Sequence, residues 1–320
     1  MFPIDWFSLF YDLVAYLIAF RSLLDEILYK LNFKRRIDVD RDLHRDLSQC
    51  VAIVTGGTRG LGLTVVRSLI SKGCFVVVAS SQTQGRFAKL IEKIYVGIPE
   101  QDPETGVKRG KVSLEYLDLS SMDSVSKFVK AFKEKGLNLD YLICNAGIMF
   151  APRQLTVDNL ESHFAVNYLG HCLLILEMLP ELRRAAIKSK KNSRIVSVSS
   201  STHRITRFRF EDLLGETNYS ASQAYAQSKL AQIMFTAKLS RYINDTLGWN
   251  NVQCFSLHPG VVLSDLYEHV HLIRYFPFLI PIIRLVTRVS IGHSIEFVSC
   301  SSRYLTSLNN RRSSGHGTRS

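Results

Sequence analysis

The sequence contains no C-x-x-C pair and no cluster of histidines. Its six cysteines, Cys50, Cys74, Cys144, Cys172, Cys254 and Cys300, stand singly, most of them inside apolar runs. A structural zinc site draws its ligands from close pairs, so none is expected, and the spacing speaks for free buried thiols in a reducing compartment over a disulfide scaffold. Eight prolines and eighteen glycines are too few for a collagen-like or low-complexity chain. No repeat of fixed period and no Pro/Gly/Ser linker interrupts positions 48–265, which excludes a solenoid and favours one domain. Acidic residues are also scarce, 28 against 40 Lys+Arg, for a net charge of +12. That excess alone fits nucleic acid, an anionic membrane surface or a phosphorylated ligand.

The chain does have a core's worth of apolar residues, 46% of 320, with 21% charged. The first 24 residues are rich in aromatic and aliphatic side chains, from Phe2, Trp6 and Phe10 to Leu24, but Asp5, Asp12 and Arg21 interrupt them. The uncharged stretch Leu13–Phe20 falls short of the about 20 apolar residues that span a bilayer, and no small-residue cleavage site follows. Lys30, Lys34, Arg35 and Arg36 come next, a basic cluster that belongs on the cytosolic side. We therefore expect residues 1–30 to attach to a membrane, as a marginal span or an interfacial helix, with a soluble helix packed on the core as the alternative. Residues 31–47 read as a charged linker, 48–310 as the catalytic domain and 311–320 as a disordered basic tail.

From Cys50 onward, short apolar runs alternate with amphipathic stretches. Cys50–Thr55, Cys74–Ala79, Val112–Leu117, Leu139–Cys144, Arg194–Ser199 and Val252–Leu257 read as buried strands. Helical patterns lie between them at about 60–72, 84–96, 121–136, 157–188 and 220–247. Repeated strand–helix alternation predicts an α/β fold, a doubly wound parallel sheet of Rossmann type with helices on both faces.

Directly after the first strand stands Thr55-Gly56-Gly57-Thr58-Arg59-Gly60-Leu61-Gly62, leading into a helix. Glycines there allow a tight turn and close approach of a pyrophosphate, which the free N–H groups of a helix N-terminus attract. The second strand runs into Ala79-Ser80-Ser81-Gln82, without the acidic residue that would bind the ribose of NAD(H). Arg59 in the turn could instead pair with a ribose 2′-phosphate, so NADP(H) is favoured and NAD(H) is the alternative.

Tyr225-Ala-Gln-Ser-Lys229 sets a phenol and an ammonium one turn apart on one helix face. In a basic chain with 13 tyrosines that pair alone carries little weight. Its company is what counts: Ser199-Ser200 ends the fifth strand, Asn145-Ala146-Gly147 closes the fourth, and Asn167 lies in His163-Phe-Ala-Val-Asn-Tyr-Leu-Gly170. Together with the T-G-x-x-x-G-x-G turn, these residues resemble the short-chain dehydrogenase/reductase family over about residues 48–270. The resemblance implies a catalytic tetrad of Asn167, Ser200, Tyr225 and Lys229. Tyr225 would be the general acid/base, since a free phenol of pKa about 10 is too weak a base at neutral pH and a neighbouring ammonium favours the phenolate. Lys229 would also hold the cofactor ribose, Ser200 the substrate oxygen, and Asn167 a water of a proton relay. Asp118 matches the adenine position. Asn145, Ala146 and Gly147, and then Pro259, Gly260, Val262 and Ser264 of the loop that covers the nicotinamide, complete the implied cofactor set.

Ser200 and Tyr225 are 25 positions apart, and Ser199-Ser-Ser-Thr-His203 through Phe210-Glu-Asp-Leu213 resembles the retinol-dehydrogenase branch. Ala224–Ala231 and Pro259–Tyr267 are similar to polyprenol dehydrogenases within it. This implies interconversion of a long-chain isoprenoid alcohol and its aldehyde or ketone, at the endoplasmic reticulum membrane with the domain in the cytosol, or alternatively at a lipid droplet or another cytoplasmic membrane surface. Retinol or a steroid is the alternative substrate, and an inactive scaffold on the same fold is the rival of another class. Residues 272–291, dense in apolar side chains with Arg274, Arg284 and Arg288 among them, read as a lipid-dipping substrate mouth or as a broken core helix. The basic residues form no nucleic-acid reading motif, so no nucleic acid is expected, and a homodimer is left open. The family's final Gly-rich strand is not found, Arg303-Tyr-Leu305 being a poor substitute.

Overall fold

The computed structural model describes residues 10, 11, 13–15, 17, 21, 46–82, 87–260 and 296–298. Val262, Ser264, the 272–291 segment, Arg303–Leu305, the basic tail and most of the N-terminal segment lie outside the described residues.

Six parallel strands form the sheet: β1 (Val51–Thr55), β2 (Phe75–Ser80), β3 (Val112–Tyr116), β4 (Tyr141–Cys144), β5 (Ser193–Val198) and β6 (Val252–His258). With β7 (Glu296–Val298) on the edge, their order is β3-β2-β1-β4-β5-β6-β7. Runs such as VAIVT and FVVVAS are apolar and largely β-branched because their strands are covered on both faces. Side chains alternate across the sheet and divide the core in two. Ala52 and Val54 of β1 pack with Leu63, Val66 and Ile70 of α1 (Gly60–Ser71) and with α2 (Phe87–Tyr95). Ile53 faces the other way, into a cluster with Phe128 and Phe132 of α3 (Met122–Glu134) and Leu174, Met178 and Leu182 of α4 (Gly170–Ser189). The fifth helix, α5 (Ala221–Arg241), carries the Tyr225-Lys229 pair. Strand order reverses between β1 and β4, the switch point at whose carboxyl-end crevice open α/β sheets bind their ligands.

Two elements differ from expectation. The helix predicted from 157 becomes helical only at 162, because the carboxylate of Glu161 accepts the backbone N–H groups of His163 and Phe164 and caps the helix start there. Its first residues then form a π turn, Phe164–Leu169, before α4 proper. The second difference is β7, which pairs antiparallel with β6, Leu257 opposite Phe297. Three residues give too short a signal for periodicity to reveal, and an antiparallel strand is common on the edge of a parallel sheet.

Candidate active site

The site is assembled from the ends of β1, β4 and β5, the π turn and α5. At the exit of β1 the turn adopts left-handed backbone at Gly56 (φ 64°) and Gly60 (φ 54°). A Cβ on Gly62 would lie 2.4 Å from the Gly56 carbonyl oxygen, and one on Gly57 would lie 2.8 Å from Cγ2 of Val66. Only glycine lets turn, strand and helix pack this closely. Arg59 is exposed at the N-cap of α1 in extended backbone, makes no side-chain cap, and no acidic residue stands in the first turn. Thr58 and Leu61 lie partly exposed beside it. A helix start with no cap from its N-cap side chain and no acidic residue in its first turn is the cradle a pyrophosphate needs, so the residues present fit a dinucleotide.

The turn is braced by Thr55. Its buried hydroxyl oxygen accepts the backbone N–H of Asn145 at 2.9 Å and of Ala146 at 3.0 Å. Asn145 returns its Nδ2 to the carbonyls of Thr55 and Gly56, at 3.0 and 3.3 Å. The Asn145-Ala146-Gly147 segment thus clamps the end of β1 to that of β4. On the far side of the same hydroxyl, Nε2 of His171 lies 2.9 Å away. Nδ1 of His171 faces the Asn167 carbonyl at 3.1 Å. A carbonyl only accepts, so Nδ1 carries the proton and the Thr55 hydroxyl donates to Nε2. Burial, with the nearby Lys229 charge, holds His171 neutral at a pKa of about 4, against the carbonyl bond that raises it.

Asn167 sits buried in the π turn, a geometry frequent at functional sites. Its Nδ2 donates to the Ile148 carbonyl (3.0 Å) and to Ser228 Oγ (2.9 Å), and its Oδ1 accepts the Ile148 N–H (2.9 Å). Ser228 passes its own proton to the Tyr225 carbonyl at 2.7 Å. The amide therefore ties the Gly147-Ile148 strand exit to α5. A relay water is left only the second lone pair of Oδ1. Gly147 makes the junction feasible, since a Cβ there would lie 2.9 Å from that oxygen and 3.5 Å from Lys229 Nζ.

Tyr225 and Lys229 are both buried, with the ammonium 5.6 Å from the phenol ring centre. Lys229 Nζ donates to the Val198 carbonyl at the end of β5, 2.9 Å away. Among the described residues no carboxylate pairs with it, and burial lowers its pKa from 10.5 to about 7. Ser200, half-buried, follows β5; its hydroxyl oxygen accepts the Thr202 N–H at 3.3 Å. Neighbouring Ser199 turns inward and donates to the Lys229 carbonyl at 2.9 Å. Asn167, Tyr225 and Lys229 are thus joined through Ser228 and Gly147, and Ser200 stands two residues after the Val198 whose carbonyl holds Lys229.

The outer residues are less committed. Asp118 Oδ1 accepts the N–H and hydroxyl of Ser120 at 2.9 and 2.6 Å, folding its carboxylate onto its own loop. Pro259 and Gly260 continue from β6, partly buried. Sequence reasoning missed His171, Ser228 and a Glu161–His163 pair beside Tyr225. Positions 163, 167 and 171 recur every four residues, a spacing that puts them on one helix face and could have flagged both histidines.

The short chain dehydrogenase family matches residues 50–272. A polyprenol dehydrogenase of Danio rerio is 40% identical over 220 residues, covering 69% of this chain and 64% of that protein. The polyprenol dehydrogenase of Homo sapiens is 38% identical over 69% of this chain and 63% of its own length, so this chain spans less than two thirds of either. Human retinol dehydrogenase 11 is 36% identical over 72% of this chain and 66% of its own. Among solved structures, an uncharacterized Mycobacterium paratuberculosis protein is 30% identical, with a TM-score of 0.56 over 80% of this chain and 87% of its own. A Pseudomonas aeruginosa RhlG structure shares the fold at 21% identity, with a TM-score of 0.53 over 77% of this chain and 91% of its own. The chain belongs to the short-chain dehydrogenase family.

Proposed function

We propose that this chain is a nicotinamide-dependent oxidoreductase that interconverts a lipophilic long-chain alcohol of polyprenol type and its aldehyde or ketone. The observation that carries the reading is the buried Tyr225–Lys229 pair, its ammonium 5.6 Å from the phenol ring with no carboxylate partner among the described residues. A bound nicotinamide supplies the hydride acceptor or donor. The turn from Thr55 to Gly62, with Asn145, Ala146, Gly147, Pro259 and Gly260, would hold that cofactor. In alcohol oxidation Tyr225 takes the hydroxyl proton as general base, and in carbonyl reduction it returns the proton. The Lys229 ammonium favours the phenolate, while Ser200 hydrogen-bonds the reacting oxygen and fixes its distance. Asn167 holds the crevice together through Ile148 and Ser228.

Arg59 at the mouth of the turn, with Ser80, Ser81 and Gln82 in place of an acid after β2, supports NADP(H) over NAD(H). Arg59→Ala should then raise the Michaelis constant for NADPH about tenfold and leave that for NADH nearly unchanged. Equal effects on both would remove Arg59 from that part. The names of the relatives support the substrate class, and retinol is the second reading because retinol dehydrogenase 11 matches almost as well. Offering a polyprenol, retinol and a steroid with each cofactor tests the reading. Turnover of the steroid alone would overturn it.

The N-terminal segment would attach the domain to the cytosolic face of the endoplasmic reticulum. Among the described residues no helix is long and apolar enough to cross a membrane. Asp5, Asp12 and Arg21 within the segment support an interfacial helix over a span. A variant lacking the first 24 residues should lose sedimentation with anionic vesicles; unchanged pelleting would contradict the attachment. We leave a homodimer as part of the proposal, tested by sedimentation equilibrium.

A further inference from the structure

Glu161, His163 and Tyr219 form a polar cluster that the reaction above does not use. Glu161 is 1% exposed and His163 not at all. Glu161 Oε1 accepts from His163 Nδ1 at 2.8 Å. With that proton committed, Nε2 of His163 is an acceptor, and it takes the Ala151 N–H at 3.2 Å. The Tyr219 hydroxyl reaches the Ala151 carbonyl at 3.0 Å, with Glu161 Oε1 next nearest at 3.3 Å. Both backbone groups of Ala151 are therefore gripped by side chains from two distant stretches, the start of the π-turn helix and the segment before α5. Burial raises the pKa of Glu161, but its bonds from His163 and from the His163 and Phe164 amides outweigh that and hold the carboxyl below its ordinary value.

The residue before this grip is Phe150, at φ 54° in the left-handed region that a bulky side chain rarely adopts. Such backbone persists only where its surroundings fix it. Its ring stands edge-on to Tyr225, with centres 5.5 Å apart and planes at 89°. The His163 ring is the second aromatic neighbour, at 6.3 Å and 68°. The same cluster thus holds both rings that, among the described residues, pack against the phenol.

We infer that Glu161, His163 and Tyr219 are positioning residues that, by gripping Ala151 and keeping Phe150 in its left-handed turn, set the orientation of the Tyr225 ring. The inference rests on the reading of Tyr225 as the general acid/base. Proton and hydride transfer both need a narrow range of distances, so a tilted phenol lowers turnover while leaving the cofactor cradle intact.

Three variants test it: His163→Leu, which removes donor and acceptor; His163→Gln, which keeps one of each; and Tyr219→Phe, which removes one hydroxyl. Two readouts are taken. The first is the Tyr225 ring signal in the cofactor-free protein labelled with ¹³C-tyrosine, identified by its loss in Tyr225→Phe. The second is kcat beside the cofactor dissociation constant. His163→Leu and Tyr219→Phe should move the Tyr225 signal and lower kcat about tenfold with cofactor affinity nearly unchanged, and His163→Gln should recover most of both. An unmoved Tyr225 signal in Tyr219→Phe, or an undiminished kcat in that variant, overturns the inference. If His163→Leu does not fold, Tyr219→Phe carries the test alone. If no alcohol is turned over by the parent, the proposed function fails, and the ring signal still decides the positioning.

Discussion

Replacing Lys229 by Met should cost the protein its activity and make it more stable at neutral pH. The ammonium is 4% exposed, and among the described residues its hydrogen bond goes to one carbonyl, that of Val198, at 2.9 Å. Burial lowers its pKa from 10.5 to about 7. Below about pH 7 both folded and unfolded chains carry the proton, so the full cost of the buried charge falls on the folded state. Above that value the folded protein sheds the proton while the unfolded chain keeps it, and stability rises with pH until the unfolded lysine titrates. At 1.36 kcal/mol per unit, the cost at low pH is about 5 kcal/mol. Met of similar length escapes it but leaves the Val198 carbonyl without a donor, worth about 1–3 kcal/mol. The net gain for Lys229→Met is about 2–4 kcal/mol near pH 6, shrinking by about 1.4 kcal/mol per unit as pH rises above about 7.5. Urea titrations of both proteins at several pH values measure it. The buried thiols titrate in both proteins and cancel in the difference. A variant no more stable than the parent near pH 6, or a difference independent of pH, would show that the folded protein bears no cost for the buried Lys229 charge.

Gly62→Ala should weaken cofactor binding at least about tenfold and cost about 1–3 kcal/mol, because its Cβ would lie 2.4 Å from the Gly56 oxygen and 2.5 Å from Asn145 Nδ2. Thermal melts with and without NADPH read both effects, and an unchanged ligand-induced shift would count against the cradle. Acid should unfold the protein early. His171 and His258 are buried and held neutral, each with its pKa lowered from 6.5 to about 4, chiefly by burial. Each takes up a proton on unfolding between those values, so stability falls as pH drops from about 6.5 toward about 4, by up to about 3 kcal/mol per histidine. His171→Asn should flatten part of that slope; an identical slope in parent and variant would show that His171 does not contribute.

Much of this was legible in the sequence, for physical reasons. Strands such as VAIVT and FVVVAS are covered on both faces, so they read as continuous apolar runs, and α2 and α3 show an apolar stripe. The glycine turn was legible because no other residue tolerates its backbone and close packing. What stayed hidden depends on contacts between distant positions. Thr55, a residue of the cofactor turn by sequence, is also the hub joining β1, Asn145 and His171. Asn167, expected to carry a water, gives most of its amide to Ile148 and Ser228. No sequence pattern announces that Phe150 is left-handed or that Glu161 makes the helix begin at 162. Edge strand β7 is too short to show any period.

Tyr225 is assigned the proton transfer of a nicotinamide-dependent alcohol oxidation. The direct measurement is single-turnover formation of NADPH from NADP⁺ and a polyprenol by the parent and by Tyr225→Phe, with cofactor affinity measured in parallel. We predict that the variant binds NADP⁺ like the parent and turns over at least about a thousandfold more slowly. A Tyr225→Phe protein that oxidises the alcohol at a rate close to the parent's would contradict the account.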